Sequence, residues 1–145
     1  MTSINRSALV EYSAEQMFDL VNDIEHYPEF MQGCTYAKVL SQSDTELVGE
    51  LRLSKAGISQ QFTTKNILFR PQRIEMNLVD GSFKSFISEW AFNALTENAC
   101  KVSLAMEFEF RSGLVDFAAE KLFSSSANNL VDAIVQRAHE VYASE

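Results

Sequence analysis

The sequence predicts an α+β fold in which a curved antiparallel sheet of about seven strands surrounds a long C-terminal helix. The helix is indicated by apolar residues that recur at steps of three and four between Leu114 and Tyr142. The sheet is indicated by segments in which apolar and polar residues alternate, most clearly Glu46–Ser54 and Lys101–Arg111. Because short turns separate these segments, consecutive strands are expected to pair antiparallel.

The N-terminal part of the chain predicts one strand and then two short helices. The strand covers Ile4–Tyr12. Ser13 and Gln16 match the capping box, in which each side chain hydrogen-bonds to the backbone N–H of the other residue, so a helix should begin there. Pro28 cannot continue that helix, and Glu25–Met31 is therefore expected to form a second short helix or a turn.

Six further strands are expected between these helices and the C-terminal helix. Each is separated from the next by a short segment rich in Ser, Asp, Asn, Gly or Pro, residues that are typical of turns. The predicted strands are Cys34–Leu40, Glu46–Ser54, Ile58–Phe69, Arg73–Val79, Phe83–Leu95 and Lys101–Arg111. One face of the sheet should be buried and the other exposed to water.

The composition indicates a single domain over residues 1–145 that is cytoplasmic. The length of 145 residues is sufficient for one hydrophobic core. The formal net charge of −8 argues against binding to DNA or to anionic lipid through bulk charge. The two cysteines, Cys34 and Cys100, share no short spacing and are expected to be reduced thiols. The sequence contains no apolar run long enough for a membrane span, and its N-terminus lacks a signal peptide.

Several stretches of the chain resemble START-type domains of the coenzyme Q-binding, polyketide-cyclase-like group. The resemblance covers nearly the whole chain. It is most specific in the sequences SALV at 7–10, YSAEQM at 12–17, LVND at 20–23, Tyr27-Pro28 with Phe30, SKAGIS at 54–59, MNLVDG at 76–81 and FEF at 108–110. It implies the helix-grip fold, also called birch-pollen-allergen-like.

The same resemblance implies two functions. Within the group, the chain is most similar to toxins of bacterial toxin–antitoxin pairs, which are described as binding the large ribosomal subunit, through RNA or protein, and blocking subunit joining. Other members bind isoprenoid quinones and support respiration. A ribosome-binding toxin is therefore the first expectation, and a carrier of an isoprenoid quinone or another hydrophobic molecule is the alternative. Neither function requires a cofactor.

The residues argue against an enzyme, although some helix-grip relatives are cyclases, dehydrases or hydrolases. The chain has only two histidines, His26 and His139, and neither has a cysteine or carboxylate at a spacing typical of a catalytic triad or a metal site. Walker, H-E-x-x-H, C-x-x-C and G-x-G-x-x-G patterns are absent. We therefore predict no catalytic residue and no metal site, and interpret both histidines as solvated or locally hydrogen-bonded.

The strand Ile58–Phe69 indicates a ligand cavity between the sheet and the long helix. Both of its faces carry polar residues, so the sequence leaves open which face points inward. Polar side chains on a buried face need partners, which a bound ligand with a polar head can supply. The alternatives are a strand that is wet on both sides and, for the apolar candidates, ordinary core. The candidate lining residues are Tyr27, Phe30, Phe62, Thr64, Met76, Phe86, Trp90, Phe92, Met106 and Leu122.

A second candidate site is a basic segment on an otherwise acidic chain. Between Leu51 and Ile74 there are five basic residues and no acidic residue. Such a cluster is suited to direct contacts with the phosphates of ribosomal RNA. The alternative is a solvated sheet face whose charge is balanced by acidic residues from elsewhere in the fold. The candidate contacts are Arg52, Lys55, Lys65, Arg70 and Arg73.

Overall fold

The computed structural model describes residues 2–111 and 117–143, and within them the predicted α+β order is confirmed. Seven strands, an α-helix and a 3-10 helix precede two C-terminal helices. The elements are β1 (Thr2–Val10), α1 (Ala14–Asn22), the 3-10 helix (Ile24–Glu29), β2 (Cys34–Gln42), β3 (Glu46–Lys55), β4 (Ile58–Phe69), β5 (Arg73–Asp80), β6 (Phe83–Thr96), β7 (Ala99–Phe110), α2 (Phe117–Asn128) and α3 (Leu130–Tyr142).

The seven strands form one antiparallel sheet in the order β1-β7-β6-β5-β4-β3-β2. Strands β2 to β7 therefore follow each other as a meander, and β1 joins the sheet beside β7. The predicted alternation holds in the structure: Leu47, Gly49, Leu51 and Leu53 of β3 are buried, while the residue after each of them is more exposed. One face of the sheet is inward, toward the helices, and the other is outward, toward solvent.

The start of α1 has the predicted capping box. The Ser13 hydroxyl accepts a hydrogen bond from the Gln16 backbone N–H at 3.1 Å. The Gln16 side chain accepts one from the Ser13 backbone N–H at 2.9 Å. Together these bonds satisfy two backbone donors at the helix start.

The sequence predicted one C-terminal helix, and this prediction is wrong in one respect. The structure has two helices, α2 and α3, with Asn129 between them. The side-chain amide of Asn128 donates to the Ser124 carbonyl at 2.9 Å, and that of Asn129 donates to the Ser125 carbonyl at 2.8 Å. Amide side chains that bind carbonyls four residues earlier compete with the backbone N–H groups for those carbonyls. The Asn129 backbone N–H shares the Ser125 carbonyl with its own side chain, at 3.1 Å. Leu114 and Val115 of the predicted helix lie outside the described residues.

A cluster of phenylalanine rings joins α2 to the sheet. Phe123 of α2 packs edge-on against Phe108 of β7, with the ring centroids 4.8 Å apart. Its ring also meets those of Phe62, Phe83, Phe86 and Phe110 at angles of 69–89°. Edge-to-face contacts of this kind are favourable beyond the burial of their area.

Within the described residues, no helix combines the length and the apolar character needed to cross a lipid bilayer.

Candidate ligand cavity and basic surface

A cavity lies between the inward face of the sheet and the helices. Its wall combines residues of α1, the 3-10 helix, strands β3 to β7 and both C-terminal helices. The lining residues are Val21, Ile24, Tyr27, Met31, Gly49, Leu51, Phe62, Thr64, Asn66, Ile74, Met76, Phe86, Trp90, Met106, Phe123, Ala127 and Leu130. All but a few of these are apolar, as is typical of a site for a hydrophobic ligand.

The cavity is narrow. Its volume is about 40 Å³. A single water needs roughly 10–15 Å³, so the space exceeds a packing defect. A bulky ligand would still require side chains to move, and the flexible Met31, Met76 and Met106 are suited to such a movement.

The structure decides which face of β4 points inward. Gln60, Phe62, Thr64, Asn66 and Leu68 share the inward face, and Phe62, Thr64, Asn66 and Leu68 are buried. Two polar residues therefore lie in the wall of an apolar cavity.

These two polar residues hydrogen-bond to each other. The Thr64 hydroxyl donates to Asn66 Oδ1 at 2.9 Å, and the two residues are 5% and 6% exposed. A hydroxyl and an amide oxygen that satisfy each other do not need a polar ligand head at this point. The polar row of β4 is thus explained in part by an internal bond.

Seven of the ten predicted lining residues lie in the cavity wall: Tyr27, Phe62, Thr64, Met76, Phe86, Trp90 and Met106. The other three do not. The Phe30 ring packs edge-on against Tyr27 from outside, at 5.2 Å, and lies under the Arg137 guanidinium. Phe92 packs against Phe18 of α1, and Leu122 lines a separate surface groove. Helix α1 packs on the part of β6 that carries Phe92, so the apolar residues there form ordinary core.

Sequence reasoning missed Val21, Ile24, Met31 and Gly49 in the wall. A Cβ placed on Gly49 would lie 2.2 Å from Cδ1 of Ile24. The glycine therefore allows the 3-10 helix to approach β3. A glycine within a clearly alternating strand was the available signal for this close approach.

The cavity offers little for acid–base catalysis. Tyr27 is the one titratable side chain among its described lining residues. Burial raises the pKa of Tyr27 far above its usual range, and its hydroxyl donates to the Val21 carbonyl. Burial also raises the pKa of the thiols of Cys34 and Cys100, which disfavours the reactive thiolate.

Both histidines lie outside the cavity wall and make local hydrogen bonds. His26 Nδ1 lies 2.6 Å from an Asp23 carboxylate oxygen, and this hydrogen bond raises the pKa of the exposed His26. His139 Nδ1 is 2.9 Å from the Tyr12 hydroxyl, where it ties α3 to the end of β1. No group of three His, Cys, Asp or Glu residues within the described part of the chain has a geometry suited to a metal ion.

Three of the five candidate basic residues are paired with carboxylates. Lys65 lies 3.3 Å from Glu46, and Arg73 lies 3.3 Å from Glu75. Arg70 pairs with Asp19 and covers the Phe18 ring, so it belongs to the contact with α1. The charges of these three residues are therefore balanced by acidic side chains, as expected if the basic segment is an ordinary solvated sheet face.

Arg52 and Lys55 differ from the other three, since neither has an acidic partner within residues 2–111 and 117–143. Arg52 points outward from β3, where it lies over the Tyr36 ring and donates to Gln61 Oε1 at 2.9 Å. Lys55 ends the same strand and is exposed. This pair is the part of the basic segment that remains available to an anionic partner.

Thr64→Val should destabilise the fold by about 1–3 kcal/mol, because it keeps the shape of the side chain but leaves buried Asn66 Oδ1 without its donor. Urea unfolding measures the change. Thr63→Val is the matched control, since Thr63 is buried on the same strand and its hydroxyl makes no hydrogen bond within the described residues. That control should change stability by less than about 0.5 kcal/mol. Equal stability of Thr64→Val and the unchanged chain would contradict the importance of the pair.

Comparison with known sequences shows that the chain is similar to proteins named ribosome association toxin and, more distantly, to a protein named for coenzyme Q binding. It is 49% identical over 142 residues to the ribosome association toxin RatA of Vibrio cholerae (strain O395), covering 98% of this chain and 99% of the relative. It is 46% identical over 143 residues to RatA of Escherichia coli K12, covering 99% and 90%. The coenzyme Q-binding protein COQ10 homolog B of Xenopus laevis is 24% identical, covering 95% of this chain and 58% of the relative.

Solved structures with the same fold share little sequence with this chain. TTHA0849 from Thermus thermophilus superimposes with a TM-score of 0.81 at 14% identity, covering 97% of this chain and 99% of the neighbour. The Zhui aromatase/cyclase from Streptomyces sp. R1128 superimposes with a TM-score of 0.79 at 15% identity, covering 98% and 97%. Residues 10–135 match the family described as polyketide cyclase / dehydrase and lipid transport. The chain belongs to this family and has its START-type helix-grip fold.

Proposed function

We propose that this chain is a non-enzymatic toxin that binds the large ribosomal subunit and interferes with subunit joining. The observation that carries the proposal is an identity of 46–49% over almost the full length to proteins named ribosome association toxin. The cavity supports a role without catalysis, because the one titratable group in its described wall is a tyrosine whose pKa is raised by burial. Fold alone is not an argument here, since neighbours with the same fold include a cyclase.

The proposed contact with ribosomal RNA is the outward side of β3 and β4 together with Lys55, which is exposed at the turn end of β3. Arg52 and Lys55 carry charges that no described carboxylate neutralises, and Lys65 is 46% exposed beside its partner Glu46. These three cations belong to neighbouring strands, because Arg52 faces Gln61 and Lys65 faces Val48 in the register. Phosphate oxygens are suited to such exposed cations, and the acidic remainder of the chain limits non-specific binding.

Changing Arg52, Lys55 and Lys65 together to Glu should abolish co-sedimentation with the large subunit on a sucrose gradient. The unchanged chain should bind about 20- to 40-fold more weakly at about 200 mM than at about 50 mM salt, the dependence expected for roughly three phosphate contacts. The matched control changes Lys84, Lys101 and Arg111 to Glu, which alters the net charge equally at a distant part of the sheet. Loss of binding in both triple variants, or in neither, would contradict this contact.

A second candidate function is the binding of a hydrophobic molecule such as an isoprenoid quinone. The cavity favours it, as does the similarity to a protein named for coenzyme Q binding. The two functions are compatible, because one uses the outward surface and the other the interior.

Purified chain should then carry lipid from the cells that produced it. Mass spectrometry of an organic extract is the measurement, and about one equivalent of a prenylated or other single-chain lipid is the expected result. Ala127→Trp supplies the control, since a large side chain in the cavity wall should reduce the extracted amount. An extract without lipid from the unchanged chain would count against this second function.

A further inference from the structure

A surface groove adjoins the cavity and differs from it in charge and width. Its volume is about 320 Å³, against about 40 Å³ for the cavity, so the groove is the wider of the two. The groove lies between the β3–β4 turn and α2. Its lining residues are Gln32, Lys55, Ala56, Ile58, Ala118, Lys121, Leu122 and Ser125.

The groove combines two cations with an apolar floor. Lys55 and Lys121 are its charged residues, and none of the described lining residues is acidic, although the chain has a net charge of −8. Ile58 and Leu122 supply apolar surface between them. A negatively charged group attached to an apolar chain complements this arrangement, because the ammonium groups meet the charge and the floor meets the chain.

Three segments of the chain contribute residues to both the groove and the cavity. In the segment after the 3-10 helix, Met31 lines the cavity and Gln32 lines the groove. Leu122 lines the groove, and the next residue of α2, Phe123, lines the cavity. The separation between the two spaces is therefore about one layer of side chains.

The strand β4 makes the same connection with a polar residue in the middle. Its inward row has Ile58 in the groove, Phe62 in the cavity and Gln60 between them. Gln60 Oε1 is buried and has no hydrogen-bond partner within the described part of the chain. Buried oxygens normally accept a hydrogen bond, so we expect a donor here that is not one of the described residues.

A second orphaned oxygen lies on the helix side of the same partition. Ser126 is 1% exposed, and its Oγ also lacks a partner among the described residues. It lies one helical turn after Leu122 of the groove and next to Ala127 of the cavity. Gln60 and Ser126 thus place two unpaired oxygens, neither of them open to solvent, in chain segments that contribute residues to both the charged groove and the apolar cavity, and we call these two residues the neck. The polar pair of the cavity itself is already satisfied internally.

We propose that the groove is the entrance to the cavity and that Lys55 and Lys121 bind the anionic head, carboxylate or phosphate, of a single-chain amphiphile whose tail enters the cavity. The orphaned oxygens of Gln60 and Ser126 accept hydrogen bonds from water or from a hydroxyl of the ligand at the neck. This inference rests on the hydrophobic-ligand function and specifies its ligand class: an acidic amphiphile binds better than a neutral one.

Three probes with the same twelve-carbon chain test the head group: dodecanoate and dodecyl phosphate, each below its critical micelle concentration, and dodecanol below its solubility limit. Trp90 is the single tryptophan and lines the cavity, so its fluorescence reports a tail that enters. At least one anionic probe should change this fluorescence and bind roughly 3- to 30-fold more tightly than dodecanol, the gain expected for one or two partly exposed ion pairs. Which anionic probe gains affinity identifies carboxylate or phosphate as the preferred head.

Variants separate the head group from the tail. Lys55→Gln with Lys121→Gln should remove the advantage of the anionic probes and leave dodecanol binding unchanged. Lys84→Gln with Lys101→Gln removes the same charge elsewhere and should retain the advantage. Ala118→Trp, at an exposed position in the groove, should weaken all three probes.

Three results would overturn the proposal. Equal affinity for dodecanol and both anionic probes would refute the head-group site while leaving a hydrophobic-ligand function intact. Anionic probes that bind without affecting Trp90 fluorescence would refute the groove as an entrance. If no probe binds, both this inference and the hydrophobic-ligand function are wrong.

Discussion

The packing of Phe123 against the aromatic rings of the sheet is the contact on which the interior depends. It holds α2 against β4, β6 and β7, with ring centroids 4.8–6.4 Å apart. At the other end of the inward face, α1 packs Phe18 on Phe92. Between these two anchors, the side chains of the sheet and of the helices leave a space, and this space is the cavity. Loss of the Phe123 ring would therefore disturb both the cavity wall and the packing of α2 against the sheet.

The two faces of the sheet carry different chemistry because side chains alternate along each strand. On β3 and β4, the outward residues Arg52 and Lys65 face solvent, while the inward residues Phe62 and Thr64 face the cavity. A partner as large as a ribosomal subunit can approach only the outside, whereas a small hydrophobic molecule is suited to the inside. Lys55 belongs to both proposed sites, since it is exposed at the end of β3, in register with Ile58 of the inward row, and borders the groove. A bound acidic ligand would neutralise one cation of the ribosome contact, which couples the two sites through charge.

Local patterns determined how much of this structure was predictable. The bounds of β4 and the capping box of Ser13 follow from alternation, turn residues and i,i+3 spacing, which depend on neighbours in sequence. The interruption at Asn129 was missed because a helical pattern of apolar residues says nothing about side-chain amides that bind the backbone. Phe92 and Val21 are equally apolar in sequence, yet Val21 lines the cavity and Phe92 does not. That distinction depends on where α1 crosses the sheet, a property of tertiary packing.

Photo-cross-linking from the outward face tests whether the β3–β4 surface contacts ribosomal RNA. A photoreactive amino acid at Gln61, beside Arg52, is compared with one at Ser103 on the outward face of β7, each in the presence of purified large subunits. The probe at position 61 should cross-link to ribosomal RNA, and the probe at position 103 should not. Cross-linking from position 103 alone would show that a different part of the outward face meets the ribosome.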